Sequence, residues 1–220
     1  MTVAPRPVAP DRLADVLADL VEAAASRRSR PESVLRVAVD GHPAAGPAEL
    51  ADALVDPLRL RGRPALRIGG RWFLRPASLR YERGRTDPDA YYDDQLDTAA
   101  LRRELLDPLG PGGSGRYLPS LWDPDADRAT RAGYRAVPPG AVLLLDGTLL
   151  LGRGLPLDLT IHLRLSSGAL ARRAGEGEWW ALPAYERYER EVDPDRTADL
   201  VVRMDDPRHP ALLVRLDTRR

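Results

Sequence analysis

The 220 residues include no lysine, no cysteine, one phenylalanine and three histidines. Without cysteine there can be no disulfide, no thiolate nucleophile and no cysteine metal site. His42, His162 and His209 are too few and too scattered for most metal or relay sites. An excess of charge is missing as well. The 33 basic residues, all arginine, balance 33 acidic ones, so the bulk electrostatic footprint of a nucleic-acid binder is absent. No apolar run approaches the roughly eighteen residues that a membrane span needs. The amino terminus also lacks a basic-then-apolar signal pattern, which makes the cytoplasm the expected location. With 21 prolines and abundant Ala, Arg and Gly, the absence of Lys points to a GC-rich coding bias.

What is present suffices for a folded core. Hydrophobic residues make up 43% of the chain, and its length suits one α/β domain with an appended lid. Residues 1–10 are Pro-rich and are expected to be loose. Asp11 to Ser26 reads as a helix capped by Asp11, since Leu13, Val16, Leu17, Leu20 and Val21 recur at helical spacing. Val34–Val39 reads as a buried strand, Pro47–Leu60 as a helix and Pro64–Ile68 as a second strand. Arg75 to Asp94 is polar, aromatic and broken by Gly84 and Pro88, which predicts a long loop. Helices are expected over Asp97–Leu106, Ser166–Ala174 and Pro183–Val192. Further strands are expected over Ala141–Leu145, Leu159–Leu165 and Leu200–Met204. Strands alternating with helices predict a three-layer α/β domain with a mostly parallel, five-stranded sheet and helices on both faces. The divisions expected are an amino-terminal segment and helix over 1–30, a central domain over 31–205 with a small lid near 168–185, and a tail over 206–220.

Two motifs carry chemistry. The first strand runs through Asp40 into Gly41-His42-Pro43-Ala44-Ala45-Gly46-Pro47-Ala48 and then into a helix. This is the frame of a phosphate-binding loop, G-x-x-x-x-G-K-[ST], with Pro47 and Ala48 in its last two places. Gly110/Gly115 and Gly147/Gly152 share the glycine spacing, but only Gly41/Gly46 lies between an apolar strand and a helix. In that context backbone N–H groups and the helix N-terminus can face an anion. An ordinary βα turn with Pro47 as first helical residue explains the same pattern. The second motif is Val142-Leu143-Leu144-Leu145-Asp146-Gly147, an apolar strand that puts a carboxylate at the sheet's carboxyl edge, where α/β folds bind ligands. There Asp146 could help hold Mg²⁺; a plain Asp-Gly turn is the alternative.

These segments, in this order, resemble actinobacterial uridine kinase-like proteins of the P-loop kinase family. So do Tyr81-Glu82-Arg83-Gly84-Arg85, Tyr91 to Asp97, Asp107 to Gly113 and Tyr188 to Pro194. The resemblance spans roughly residues 30–205. It implies ATP and Mg²⁺ as cofactors and transfer of the γ-phosphate to the 5′-hydroxyl of a pyrimidine nucleoside. Carried over by position, the nucleotide side falls on Asp40, Gly41, Ala45, Gly46, Pro47 and Ala48, with lid arginines Arg172 and Arg173. The nucleoside side falls on Tyr81, Arg83, Tyr92 and Asp97, the metal on Asp146, and the general base on Arg71.

The replacements are severe. A unit charge ~4 Å from a phosphate oxygen is worth about 4 kcal/mol at an effective dielectric of ~20, roughly a thousandfold in rate. Pro47 also removes a backbone N–H, Ala48 removes a metal-binding hydroxyl, and Arg71 in the base position removes a further ~10²–10⁴. Arg71, or an arginine of residues 80–85, could swing in as the missing cation. Two functions follow: a weak nucleoside kinase, or a pseudokinase that binds a nucleoside or nucleotide without turnover. A third reading is a purely structural or partner-binding domain with an empty cleft, which would engage a protein partner or a second copy of the chain (a homo-oligomer). His42 reads as a solvated loop residue, His162 as a satisfied core or edge residue and His209 as surface. Trp179 and Trp180 are expected to pack, and Ser114 lacks the strand–turn–helix context of a hydrolase nucleophile.

Overall fold

The computed structural model describes residues 4–30 and 32–215. Its sheet contains β1 (Arg6–Pro7), β2 (Leu35–Gly41), β3 (Ala65–Gly69), β4 (Val142–Gly147), β5 (Leu159–Arg164), β6 (Leu200–Arg203) and β7 (Ala211–Val214). In space the order is β1-β7-β6-β5-β2-β4-β3. The five strands β6, β5, β2, β4 and β3 run parallel, and β7 and β1 add antiparallel pairs at one edge.

Strand alternation sorts the core into two layers. Leu35, Val37 and Val39 of β2, with Val142 and Leu144 of β4, face α1 (Leu13–Ser26) and α2 (Pro47–Leu60), where Leu17, Val21, Leu54 and Leu58 meet them. Ala38, Leu143 and Leu145 point the other way, onto Phe73, Leu101, Leu105, Leu106, Tyr185 and Tyr188. Period-two strands buried on both faces require apolar residues in both phases, which is the pattern of Leu143-Leu144-Leu145. The second layer holds α5 (Thr98–Leu101), a π-helical turn over Arg102–Leu106, and α7 (Leu182–Val192).

Several sequence expectations change. Residues 1–10 are not all loose, since Arg6–Pro7 pairs with β7; residues 1–3 lie outside the described residues. Part of the expected 206–220 tail is β7, a sheet strand, while 216–220 lie outside the described residues. Asp11 sits in a 3₁₀ turn, Pro10–Arg12, and caps nothing. The 75–94 stretch is not one loop. It folds into α3 (Ala77–Arg80) and α4 (Pro88–Asp93), the latter started by the Asp87 carboxylate accepting from Ala90 N–H and by Pro88 in the first turn. The 168–185 segment spans α6 (Ser167–Arg173), a 3₁₀ stretch Glu176–Ala181 and the start of α7. No described helix is long and apolar enough to cross a membrane.

Candidate functional site

The carboxyl ends of β2, β4 and β3 converge on a cavity of about 310 Å³, with the N-terminus of α2 on one side. Its walls are largely apolar, formed by Leu74, Leu96, Leu149 and Leu150, with Arg67, Gln95, Asp146 and Arg153 as polar members. No hydrogen bond engages the Gln95 side-chain amide among the described residues, so a donor and an acceptor both remain for a ligand.

The loop between β2 and α2 has the expected path but not the expected electrostatics. His42 leads into a 3₁₀ turn, Pro43–Ala45, and Gly46 takes a left-handed conformation (φ 81°) before α2 begins at Pro47. A residue with a Cβ is strained there, which explains glycine at this place. The loop amides then close on the loop itself. Ala44 N–H donates to His42 Nδ1, Ala45 N–H to the His42 carbonyl and Gly46 N–H to the Pro43 carbonyl. Pro43 and Pro47 have no N–H to offer. An anion cradle needs several amides pointing outward, and residues 43–47 present none.

Asp146 is buried and lines the cavity, but its carboxylate is taken. Arg67 of β3 forks it, with Nε to Oδ1 at 2.7 Å and Nη2 to Oδ2 at 3.0 Å, while Nη1 reaches Asp52. Gly69 lies beside Asp146 in the ladder, so Arg67 is two residues back on the neighbouring strand. Such bidentate pairs combine charge with fixed geometry. The metal-ligating role expected for Asp146 meets a guanidinium already in place, and among the described residues no cluster of three or more His, Asp or Glu could hold a metal.

Asp40 belongs elsewhere. Fully buried, it accepts from Leu150 N–H (2.9 Å) and Tyr188 Oη–H (2.9 Å) and meets His162 Nδ1 at 2.7 Å. It ties β2 to β5, α7 and the loop after β4, and it does not line the 310 Å³ cavity. His162 is therefore a core histidine, as expected from its strand, but it is satisfied at Nδ1 alone. His42 is not solvated: only 8% exposed, it packs its ring against Tyr185 at 4.5 Å.

Burial pushes the His42 imidazole down to about 4. Because the folded value is depressed, the stability this neutral ring provides is complete above the unfolded value near 6.5. It is lost as pH falls towards 4. The full swing is on the order of 3 kcal/mol. His42→Asn keeps an acceptor for Ala44 N–H and removes the titration. Urea midpoints at pH 7 and 4.5 should therefore diverge more for wild type than for this variant; equal divergence would contradict the assignment.

The remaining site candidates scatter. Arg71, at the expected base position, lines the cavity but lies on its exposed rim, pairs with Asp125 at 2.8 Å and stacks over Trp72. Arg83 pairs with Asp94, Arg80 bonds the Arg75 carbonyl, and Tyr81 lies under Arg80 and Arg85, so none of these replaces the missing lysine. Tyr92 is buried beneath Arg153 and Arg187. Asp97 is the cap of α5, accepting from Ala100 N–H. Arg172 and Arg173 are on α6 and line neither of the two cavities that meet at Gly41, and Arg173 bonds the Asp205 carbonyl. Gly41, Pro47 and Ala48 do line the first cavity; Ala45 and Gly46 lie behind it. Trp180 packs edge-on to Tyr91, whereas Trp179 is exposed, not packed. His209 is on the surface, as expected, and Ser114 lies in an exposed loop outside any strand or helix.

Arg67, Gln95 and Arg153 escaped the sequence reading. Arg67 had one signal, a charge inside an otherwise apolar strand. Arg153 had none: it bonds the carbonyls of Leu149 and Tyr92, which are brought to it only by the fold.

No protein-family model and no curated protein sequence matches the chain. Solved structures do. A possible uridine kinase from Bacillus stearothermophilus aligns with a TM-score of 0.68 at 19% identity, over 87% of this chain and 97% of its own. A putative fructose transport system kinase from Silicibacter sp. TM1040 aligns at 0.58 and 23% identity, over 84% and 91%. At these identities the likeness is one of architecture: the chain shares with these kinases a mixed α/β fold around a mostly parallel sheet.

Proposed function

We propose that this protein is a pseudokinase, a binding protein on a nucleoside-kinase scaffold that holds a nucleoside-type ligand in the 310 Å³ cavity without transferring phosphate to it. The Arg67–Asp146 fork beside that cavity carries the reading. The residues present do not fit Mg²⁺-ATP. Asp146 is occupied by a guanidinium, the amides of Ala44, Ala45 and Gly46 are spent within the loop, Pro47 has no N–H and Ala48 no hydroxyl.

The opposite end of the cavity suits a planar polar ring between aliphatic walls. Leu74 and Leu96 supply apolar faces, and the Gln95 amide can give and take one hydrogen bond each. The likeness to a possible uridine kinase supports a pyrimidine nucleoside as the first ligand to try.

Calorimetric titration of uridine, with Gln95→Leu as the comparison, tests this. Two neutral hydrogen bonds at about 1 kcal/mol each predict a loss of roughly thirtyfold in the variant. Uridine that binds neither protein at millimolar concentration would remove the reading. Mg²⁺-dependent formation of uridine monophosphate from ATP would replace it with an active kinase.

A further inference from the structure

A second cavity, of about 250 Å³, lies on the other side of the Gly41–His42 corner, between the end of β5 and α7. Nothing in the proposed nucleoside site uses it. His162 is on its wall, with a side chain only 6% exposed. The ring is oriented: Nδ1 faces the Asp40 carboxylate, which can only accept, so Nδ1 carries the proton. Nε2 is left as a lone-pair acceptor and makes no hydrogen bond among the described residues. It is an unpartnered acceptor on a buried side chain that lines a cavity.

The charges around it are mainly negative. Glu186 and Glu189 line the open side, and Asp40 lies behind His162. Arg164 is the cation of the wall, and Asp195 neutralises it at 2.5 Å. The second carboxylate oxygen of Asp195 is buried with no hydrogen-bond partner, which adds negative potential nearby. Two carboxylates thus line the cavity, two more lie behind its wall, and its one guanidinium is already paired. Desolvation on the side that faces the cavity raises the Glu189 carboxyl; Asp195 and Asp193 add to this, and His162 and Arg164 oppose it. The rings of Tyr185 and Tyr188 complete the wall. Their hydroxyls are engaged, Tyr185 with Thr148 and Tyr91 and Tyr188 with Asp40, so they offer faces rather than donors.

We propose that this second cavity binds a small organic ammonium ion, which gives its N–H groups to His162 Nε2 and the Glu189 carboxylate against the Tyr185 and Tyr188 rings. Donors without acceptors are what the site lacks, and a primary ammonium is that group. Aromatic faces add cation–π attraction. An anion would meet Glu186 and Glu189, with Arg164 already paired to Asp195, so this side of the loop disfavours phosphates.

The test uses the full chain. 2-Phenylethylamine, 2-phenylethanol and 3-phenylpropanoate are titrated separately while the imidazole ¹⁵N resonances of His162 are followed. The amine should bind saturably and move the Nε2 resonance, and the alcohol and the carboxylate should bind at least about tenfold more weakly. Glu189 is an exposed rim residue, so Glu189→Gln should fold normally and weaken the amine by about tenfold, the scale of one lost charge-assisted hydrogen bond. Uridine affinity at the first cavity should not change in that variant, so this proposal and the nucleoside reading fail separately. Amine binding no tighter than alcohol binding, an unaffected Glu189→Gln, or no saturable amine binding would each overturn it.

Discussion

Asp40→Ala should destabilise the protein by about 3–5 kcal/mol, the range for removing one partner of a buried charged network. For a chain of this length that is a drop of roughly 6–20 °C in melting temperature. The carboxylate is fully buried and serves donors on three separate elements: Leu150 N–H, Tyr188 Oη–H and His162 Nδ1. Its removal leaves all three without an acceptor and opens a polar cavity between β2, β5 and α7. Tyr188→Phe is the graded control. It strips one donor from Asp40 and the acceptor of Leu151 N–H, at a cost of about 1–3 kcal/mol. Circular-dichroism melts of the two variants check the order. A melting temperature for Asp40→Ala within a few degrees of wild type would mean that Asp40 is a site residue, as the phosphate-loop reading has it, and not a structural hub.

The triple variant Pro47→Lys/Ala48→Ser/Arg67→Met should acquire Mg²⁺-dependent ATP binding that wild type lacks. The new lysine contributes up to about 4 kcal/mol at a phosphate, at ~4 Å and an effective dielectric of ~20. Against this, the loop must break its hydrogen bonds from Ala44, Ala45 and Gly46, each worth about 1 kcal/mol. The introduced serine hydroxyl and a freed Asp146 then restore ligands for the metal. The lysine and loop terms leave about 1 kcal/mol, roughly fivefold in ATP affinity, and the restored metal ligands should add a further gain seen only with Mg²⁺. Pro47→Lys/Ala48→Ser alone should gain less, because Arg67 would still hold Asp146. Equal gains for the two variants, read by calorimetry, would show that the Arg67 fork is not an obstacle.

The scaffold was legible in the sequence wherever period and punctuation agreed. Pro47 at the start and an apolar stripe through Leu54 and Leu58 delimit α2 to the residue, and Leu143-Leu144-Leu145 announces a strand buried on both faces. β1 and β7 were hidden for a physical reason. β1 is a two-residue edge strand, and β7, a four-residue strand between β1 and β6, follows a Pro- and Asp-rich stretch that reads as a terminus. In residues 75–94 the glycine and prolines outweighed a legible signal, since Asp87-Pro88 followed by Ala90 is a capped helix start.

The site was legible in part. The strand pattern puts Asp146 at the carboxyl edge, where the structure has it. Its pairing with Arg67 depends on which strands are neighbours, and the order β2-β4-β3 does not follow chain order. The loop frame assigns Asp40 to phosphate binding. Residues 110 and 122 positions further along the chain, Leu150 and His162, decide its role, and local pattern carries no trace of them. Likewise, Asp97 is a helix cap whose Asp-Thr-Ala-Ala context already fits that purpose.

On the function proposed above, the cavity at the carboxyl ends of β2, β4 and β3 does not address a metal-bound triphosphate. Titration of ATP into the wild-type protein, with and without Mg²⁺, tests it most directly. Mg²⁺ should leave the ATP affinity, weak or absent, unchanged. ATP affinity rising tenfold or more on adding Mg²⁺ would contradict it, because Asp146 would then have to leave Arg67 for the metal.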